Sequence, residues 1–501
     1  MPTQYRFPLT RRQFLTASSG AVAVLALPGL TGRISQASTQ PKLHEPRLRQ
    51  SKYGLLQWKL RTEYEKMWIG NTRVFLRSYW GRFPGPTFRV RPGDTFQLSL
   101  INDLPPDEHP MHGDMNIPHG FNVTNMHLHG LHISPKGNSD NVLLEIPPGE
   151  RFDYEYHIPV NHPAGTYWYH PHKHGATAIQ LLSGMAGALI IEGDIDEVPE
   201  IAAAQERLFV LQEIRVNDKG RVPDFDLDAF DNATVFRTIN GQLQPYLYIR
   251  PGEVQRWRFV QAGTSDFSPI QLDRHSFHQI AFDGISFPKP REVDSIMLAN
   301  GNRADVLVKG GVPGVYYLRK LAYDQGLGVV PEAVLATVIV QGGPVNMPLP
   351  TGLPTPSYLT PIQDQELTGA RTLVFDVQED DSGLQFVIDG QPFSPDRVDQ
   401  TVKLGAVEEW TLLNNSPGQH PFHIHVNPFQ VTHINGQTMD SQIWQDTVII
   451  PQASTGKDGS TIPGSVTLRS RFTDFDGKFV LHCHILPHED LGMMQIVEIV
   501  P

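Results

Sequence analysis

The chain has 501 residues, of which 40% are hydrophobic and 19% charged. That is long enough for roughly three domains of ordinary size and typical of a folded globular protein. A net charge of −12, with no dense basic cluster beyond the N-terminus, argues against nucleic acid as a main partner.

At the N-terminus, Arg11 and Arg12 precede Phe14 and Leu15, and a modest apolar stretch runs from Ala21 to Leu27. This is the pattern of a twin-arginine export signal over residues 1–37, ending at the small-residue site Ser35-Gln36-Ala37. The apolar run is too short to span a bilayer. The expected location is therefore the periplasm or another exported compartment, reached through the twin-arginine machinery. Gly 43 and Pro 42 favour turn-rich β structure over long helices.

Three segments look like copies of one strand opening: VRPGDTFQLSLIN from 90, IRPGEVQRWRFVQ from 249 and VKLGAVEEWTLLN from 402. Gly93, Gly252 and Gly405 align in them, and each precedes an alternating apolar and polar run. A second marker recurs later in each unit, as GTYWYHPHKH from Gly165, GVYYLRKL from Gly314 and GKFVLHCHI from Gly477. Two markers with similar periods predict three related β domains, at 46–195, 206–342 and 370–501. The prolines between 344 and 361 predict a stiff linker over 343–369, and PPDEHPMHGDMNIPHG at 105–120 reads as an inserted loop.

Histidine pairs of the form HxH occur at 127/129, 170/172, 172/174, 423/425 and 482/484. On a strand such a pair puts both rings on one face. Roughly one pair is expected by chance at this histidine content, so five are informative. They fall in the outer two domains, while the middle one has only isolated His275 and His278. A metal cluster fed by both outer domains must lie where they meet, with the middle domain as a spacer. The lone Cys483 cannot form an internal disulfide, and it sits in HCHILPHEDLGMM with His488 and Met493 downstream. One thiolate, two imidazoles and a weak thioether make the donor set of a blue copper. Cys483 points away from His482 and His484 if the segment is extended, so two metal centres can share one short backbone path.

HLHG at 127, WYHPHKHG at 168, HPFHIHVNPF at 420 and HCHILPHEDLGMM at 482 resemble the four copper motifs of the multicopper oxidases, most closely the bacterial three-domain, laccase-like and bilirubin-oxidase-like members. The resemblance covers essentially the whole chain after the signal. It implies an all-β protein of three consecutive cupredoxin-like Greek-key β-barrel domains and four copper ions. By that resemblance His420, Cys483, His488 and Met493 hold the type 1 copper, and His127 and His423 the type 2 copper. His129, His170, His172, His425, His482 and His484 hold the type 3 pair. The exposed edge of His488 is where electrons enter, and Asp140 and Glu489 match acids implicated in proton delivery. Asp446 falls in a recurrent family segment and is expected to support a ligand. His174 is expected beside the cluster or at the surface, and His109, His112, His119 and His132 are read as solvated or hydrogen-bonded histidines.

The implied activity is oxidation of phenols, aromatic amines, pigments or low-valent metal ions, one electron at a time, with four-electron reduction of O2 to water, by a protein taken to be a monomer. A cuprous oxidase is the alternative, weakened because the 11 methionines form no Met-rich run. A copper nitrite reductase would lack the complete cluster set, and a division-associated relative would have lost ligands. A copper store or carrier would bind the metal without oxygen-dependent turnover.

Overall fold

The computed structural model describes residues 40–108, 113–223, 225, 232–380, 383–440 and 443–501. The segment 1–37, read above as an export signal, lies outside the described residues together with His109 and His112.

The chain is all-β, and three pairs of sheets repeat one pairing scheme. In each unit the strand after the aligned glycine runs parallel to the unit's opening strand. Thr95–Asn102 lies beside Leu55–Ile69, Val254–Gln261 beside Gln205–Val216, and Ala406–Asn414 beside Gly369–Asp380. On its other edge each pairs antiparallel with a later strand: Arg151–His157, Arg303–Lys309 or Gly464–Phe472. The glycines turn the chain into that strand at φ of +88°, +73° and +88°, a left-handed conformation that a Cβ disfavours. This is the physical reason the repeat is legible at Gly93, Gly252 and Gly405. The position five residues on is Leu98, Trp257 or Trp410, each essentially buried at the centre of its own core.

The second sheet of each unit carries the second marker. Gly165–His170, Gly314–Lys320 and Gly477–Cys483 each pair antiparallel with the unit's final strand, Gly187–Ile191, Ala333–Val340 or Met494–Val500. The other neighbour of each is His127–His129, Ser268–Leu272 or His420–Ile424. The register sets His127 opposite His170 in the first unit and His423 opposite His482 in the third. In the middle unit the equivalent strands set Ile270 opposite Lys320 and Leu272 opposite Leu318. Apolar packing of Ile270, Leu272 and Leu318, with the buried Lys320 beside Asp266, stands there in place of histidines. The linker is not free: Met347, Leu349 and Leu353 pack against Val254, Ile280 and Leu307 of the middle unit.

Trp410 is fully buried, and its indole N–H donates to Glu408 Oε2 at 2.8 Å. Trp410→Ala removes the largest side chain of that core and one donor to the Glu408 carboxylate, which Arg371 continues to hold. The expected loss is about 3–5 kcal/mol, read as a lower urea midpoint for the third unit's transition.

Candidate metal centres

One set of donors gathers within the third unit, and a second where the ligand strands of the first and third units meet. Near the end of Gly477–Cys483, Cys483 Sγ lies 3.4 Å from His420 Nδ1 and 3.7 Å from His488 Nδ1, and those two nitrogens are 3.3 Å apart. All three residues are buried. Burial pushes the Cys483 thiol up, and the backbone N–H of Ile485 points at its sulfur at 3.4 Å. A cation is what would make that thiol a thiolate. Burial likewise holds His420 down to about 3 and His488 well below its ordinary value, so both imidazoles keep a lone pair for a metal. Met493 is fully buried in the same core, and its backbone brackets the site. Cys483 N donates to Met493 O at 3.1 Å, and Met493 N donates to His488 O at 2.9 Å.

His488 is largely buried, with Phe386 stacked on its ring at 4.5 Å, but it alone of His420, Cys483, His488 and Met493 keeps some accessibility, at 7%. Behind His420 stands a neutral chain that the sequence reading missed. His420 Nε2 is 2.7 Å from Ser416 Oγ, which in turn lies 2.8 Å from Asn414 Oδ1. Because Nδ1 faces the sulfur, it is the Nε2–H that donates to the hydroxyl.

The second set contains eight imidazoles in three overlapping groups: His127, His129 and His423; His129, His170 and His484; and His172, His425 and His482. In each group the ligand atoms lie within 4.8 Å of one another. Cys483 and its two flanking histidines thus face different centres, as the strand alternation predicts.

Most of these rings are tethered through the nitrogen that faces away from the group. His127 Nδ1–H donates to Asp140 Oδ2 at 2.9 Å, and His129 Nε2–H to Asp446 Oδ1 at 3.1 Å. His170, His423 and His482 use Nδ1–H to reach the carbonyls of Pro171, Asp446 and Cys483 at 2.8, 2.8 and 3.0 Å. The inward nitrogens, His127 Nε2, His129 Nδ1, His170 Nε2 and His423 Nε2, are buried and have no hydrogen-bond partner. His172 Nε2 and His482 Nε2 face each other at 3.1 Å. Neither ring nitrogen of His425 or His484 has a partner. Burial drives His127, His129, His172, His425, His482 and His484 well below the ordinary histidine range, and His170 to about 3. Neutral rings with converging, unsatisfied lone pairs are a donor set that suits a metal cluster.

Both candidate acids are buried against these rings. Asp140 holds His127, accepts the backbone N–H of Leu128 at 2.9 Å, and is pushed up to about 8 by burial. Glu489 Oε1 and Oε2 lie 3.6 and 3.4 Å from His172 Nδ1 and His482 Nδ1, and burial, with Asp490 beside it, raises its pKa well above the ordinary value. Asp490 accepts the backbone N–H groups of Gly175, Thr177 and Ala178, which fastens the helix Leu486–Asp490 to the first unit. His174, His119 and His132 are hydrogen-bonded. His174 Nε2 meets Asn116 Oδ1 at 3.2 Å, His119 Nδ1 meets Ile117 O at 2.8 Å, and His132 meets Val426 O and Asp474, each at 2.8 Å.

The middle unit is more than a spacer. Its fully buried Arg303 donates to both oxygens of Asp446, at 2.8 and 2.5 Å. Asp446 in turn holds His129 and, through its carbonyl, His423. Asp283 lies 3.4 Å from Arg303 and accepts the backbone N–H groups of Asp446 and Thr447, both at 3.2 Å. A Cβ at Gly301 would sit 3.0 Å from His129 Cε1 and 3.1 Å from His484 Cδ2. The glycine of HLHG has the same kind of reason: a Cβ at Gly130, where φ is +85°, would sit 2.3 Å from Arg303 Nη2. No local sequence pattern flags Arg303 or Asp283. They are identified only by what they touch.

Multicopper oxidase family sequences match residues 116–195, 201–343 and 366–501. A laccase of Bacillus stratosphericus is 27% identical, over 85% of this chain and 91% of its own length. The cell division protein FtsP of Xenorhabdus nematophila is 28% identical, over 89% of this chain and 90% of its own. A multicopper oxidase from Campylobacter jejuni, described as a metallo-oxidase, superposes with a TM-score of 0.76 at 23% identity, covering 95% of this chain and 98% of that one.

Arg303→Leu leaves Asp446 and Asp283 buried without their cation. The expected cost is about 3–5 kcal/mol, seen as a lower thermal unfolding midpoint. Arg303→Lys recovers only part of it, because an ammonium cannot reproduce the two-pronged contact.

Proposed function

The chain belongs to the multicopper oxidase family, an oxidoreductase family that uses copper, and on that footing we propose an exported laccase-like oxidase of phenolic, aromatic or similar one-electron reductants. The observation that carries the reading is the complete set of buried donors, with the inward imidazole nitrogens left bare. A relative that had given up copper would have no reason to keep them. Export is supported by the paired Arg11 and Arg12 ahead of the apolar run.

Four copper ions are assigned. His420, Cys483, His488 and Met493 hold the type 1 ion, and His127 and His423 the type 2 ion. His129, His170 and His484 hold one type 3 ion, and His172, His425 and His482 the other. When bound, copper supplies one-electron acceptance at the first site and four-electron reduction of O2 to water at the other three.

The protein's own part is geometry, exclusion of water and protons. Phe386 stacks on His488 from within the core, and the small accessible part of His488 is where a reductant delivers its electron. Cys483 is covalently continuous with His482 and His484, and one residue spans only about 3.3 Å along a strand. The electron path between centres is therefore short and made of fixed bonds. Asp140 and Glu489 stand against His127, His172 and His482 with carboxyl groups that burial biases toward the protonated form. They are placed to hold the protons that oxygen reduction consumes, Asp140 at Oδ2 and Glu489 at Oε2.

The copper-loaded protein is expected to be blue and to consume O2 with a phenolic dye. A panel of phenols, bilirubin, Cu(I), Mn(II) and Fe(II) separates the laccase-like reading from a cuprous oxidase. Full copper loading without O2 uptake on any of these would identify a store instead. Cys483→Ser abolishes the blue colour and turnover, and Met493→Leu raises the type 1 potential, because a weak donor to the oxidised metal is lost. Asp140→Asn lowers turnover roughly 10–100-fold, measured as O2 consumption at equal copper content.

A further inference from the structure

Directly after His425 the chain makes a strained turn. Val426 has φ of +68°, and Asn427 N donates to His425 O at 2.7 Å across it, which is a γ-turn of the rare, strained hand. Of the described non-glycine residues at positive φ, Val426 is the one with a branched Cβ. Such a residue adopts this conformation only where its surroundings over-determine it. Val426 is buried in the third unit's core, so water does not relieve its carbonyl.

The group that reaches that carbonyl comes from the first unit. His132, three residues beyond His129, has Nδ1 at 2.8 Å from Val426 O and Nε2 at 2.8 Å from Asp474 Oδ2. The carbonyl only accepts, so the Nδ1–H donates to Val426 O, while Nε2 faces the Asp474 carboxylate. The backbone N–H of His132 donates to His162 Nε2 at 2.9 Å. Burial holds His162 down to about 3, which keeps that nitrogen free to accept, while its Nδ1–H donates to Pro163 O at 3.0 Å. His132 is thus gripped at three points, two on its ring and one on its backbone. It joins the HLHG segment to the turn after His425 and to Asp474, just ahead of the strand Gly477–Cys483.

His425 needs such an arrangement. His127, His129, His170, His423 and His482 are each aimed by a hydrogen bond from their outward nitrogen, whereas His425 has none at either nitrogen. Its direction has to come from its backbone and from the stacking of its ring on His127 at 3.8 Å. We propose that His132 is a positioning residue that clasps the Val426 turn from the neighbouring unit and thereby fixes how His425 faces His172 and His482. This rests on His425 being a copper ligand.

The test uses the copper-loaded full chain, its copper content and its loss of copper to a chelator. His132→Ala is expected to surrender cluster copper roughly 10-fold faster than the parent, while the blue colour of the Cys483 site persists. Adding Val426→Gly restores retention, because glycine holds φ of +68° without a clasp. Unchanged copper retention in His132→Ala overturns the proposal, as does a double variant no better than the single one. If His132→Ala does not fold, recovery of the fold by Val426→Gly supports the clasp, and failure to recover overturns it. A parent that takes up no copper defeats the copper-ligand reading itself, whereas a parent that loads copper with no rescue in the double variant defeats only the clasp.

Discussion

Eight imidazoles packed together in a buried seam, with their free lone pairs turned inward, are the constraint on which the rest of this structure depends. Each buried nitrogen without a partner costs about 1–3 kcal/mol, and several crowded together cannot relax toward water. A cation removes that cost at every ring at once. The outward nitrogens of His127, His129, His170, His423 and His482 are already committed to Asp140, to Asp446 and to backbone carbonyls, so the tautomers and directions of those five rings are fixed by the protein. Metal affinity and folding free energy are therefore shared quantities in this chain. The seam is also why both outer units must be present, since each group of three rings draws on both of them.

The middle unit is bound into the same arrangement through electrostatics rather than ligation. One guanidinium, Arg303, faces two buried carboxylates, and the three groups resolve the imbalance unequally. Asp446, in two-pronged contact, is held well below the usual carboxylate range, while burial and Asp446 push Asp283 up to about 7. The ionised partner is the one that touches His129. A unit that has lost metal ligands from its own sheet thus still sets the charge behind the cluster. Its close approach explains glycine at 130 and at 301, where a side chain would meet Arg303 or the rings themselves.

The ligands were legible in the sequence because they follow a backbone rule: alternate residues on adjacent strands, repeated in two of three copies. The repeat itself was legible because a left-handed turn leaves a glycine at Gly93, Gly252 and Gly405. What could not be read are the contacts made across long stretches of chain. Arg303 and Asp446 are 143 residues apart, and His132 and Val426 are 294 apart. Neither pair obeys any local period. The burial of His488 likewise depends on Phe386, which belongs to a strand of the opposite sheet. Resemblance pointed to Asp140 and Glu489, but only the packing shows that both are sealed from water and pressed against ligand rings.

The two centres differ in what stands behind their histidines, and the difference matches their tasks. Behind His420 the chain of Ser416 and Asn414 is neutral from end to end, and Asn414 is anchored in turn by the carbonyls of Gly418 and Pro451 at 2.7 and 3.0 Å. A hydroxyl draws little charge from an imidazole N–H, so His420 remains a modest donor, which favours a reduced metal. Behind His129 stands the ionised carboxylate of Asp446, which strengthens imidazole donation and stabilises an oxidised metal. Behind His127 stands Asp140, whose carboxyl group burial biases toward the protonated form and which the proposed function makes a proton holder. Neutral support where electrons are collected, and acidic support where protons are needed, follow from the choice of Ser416 behind one ring and Asp140 behind another.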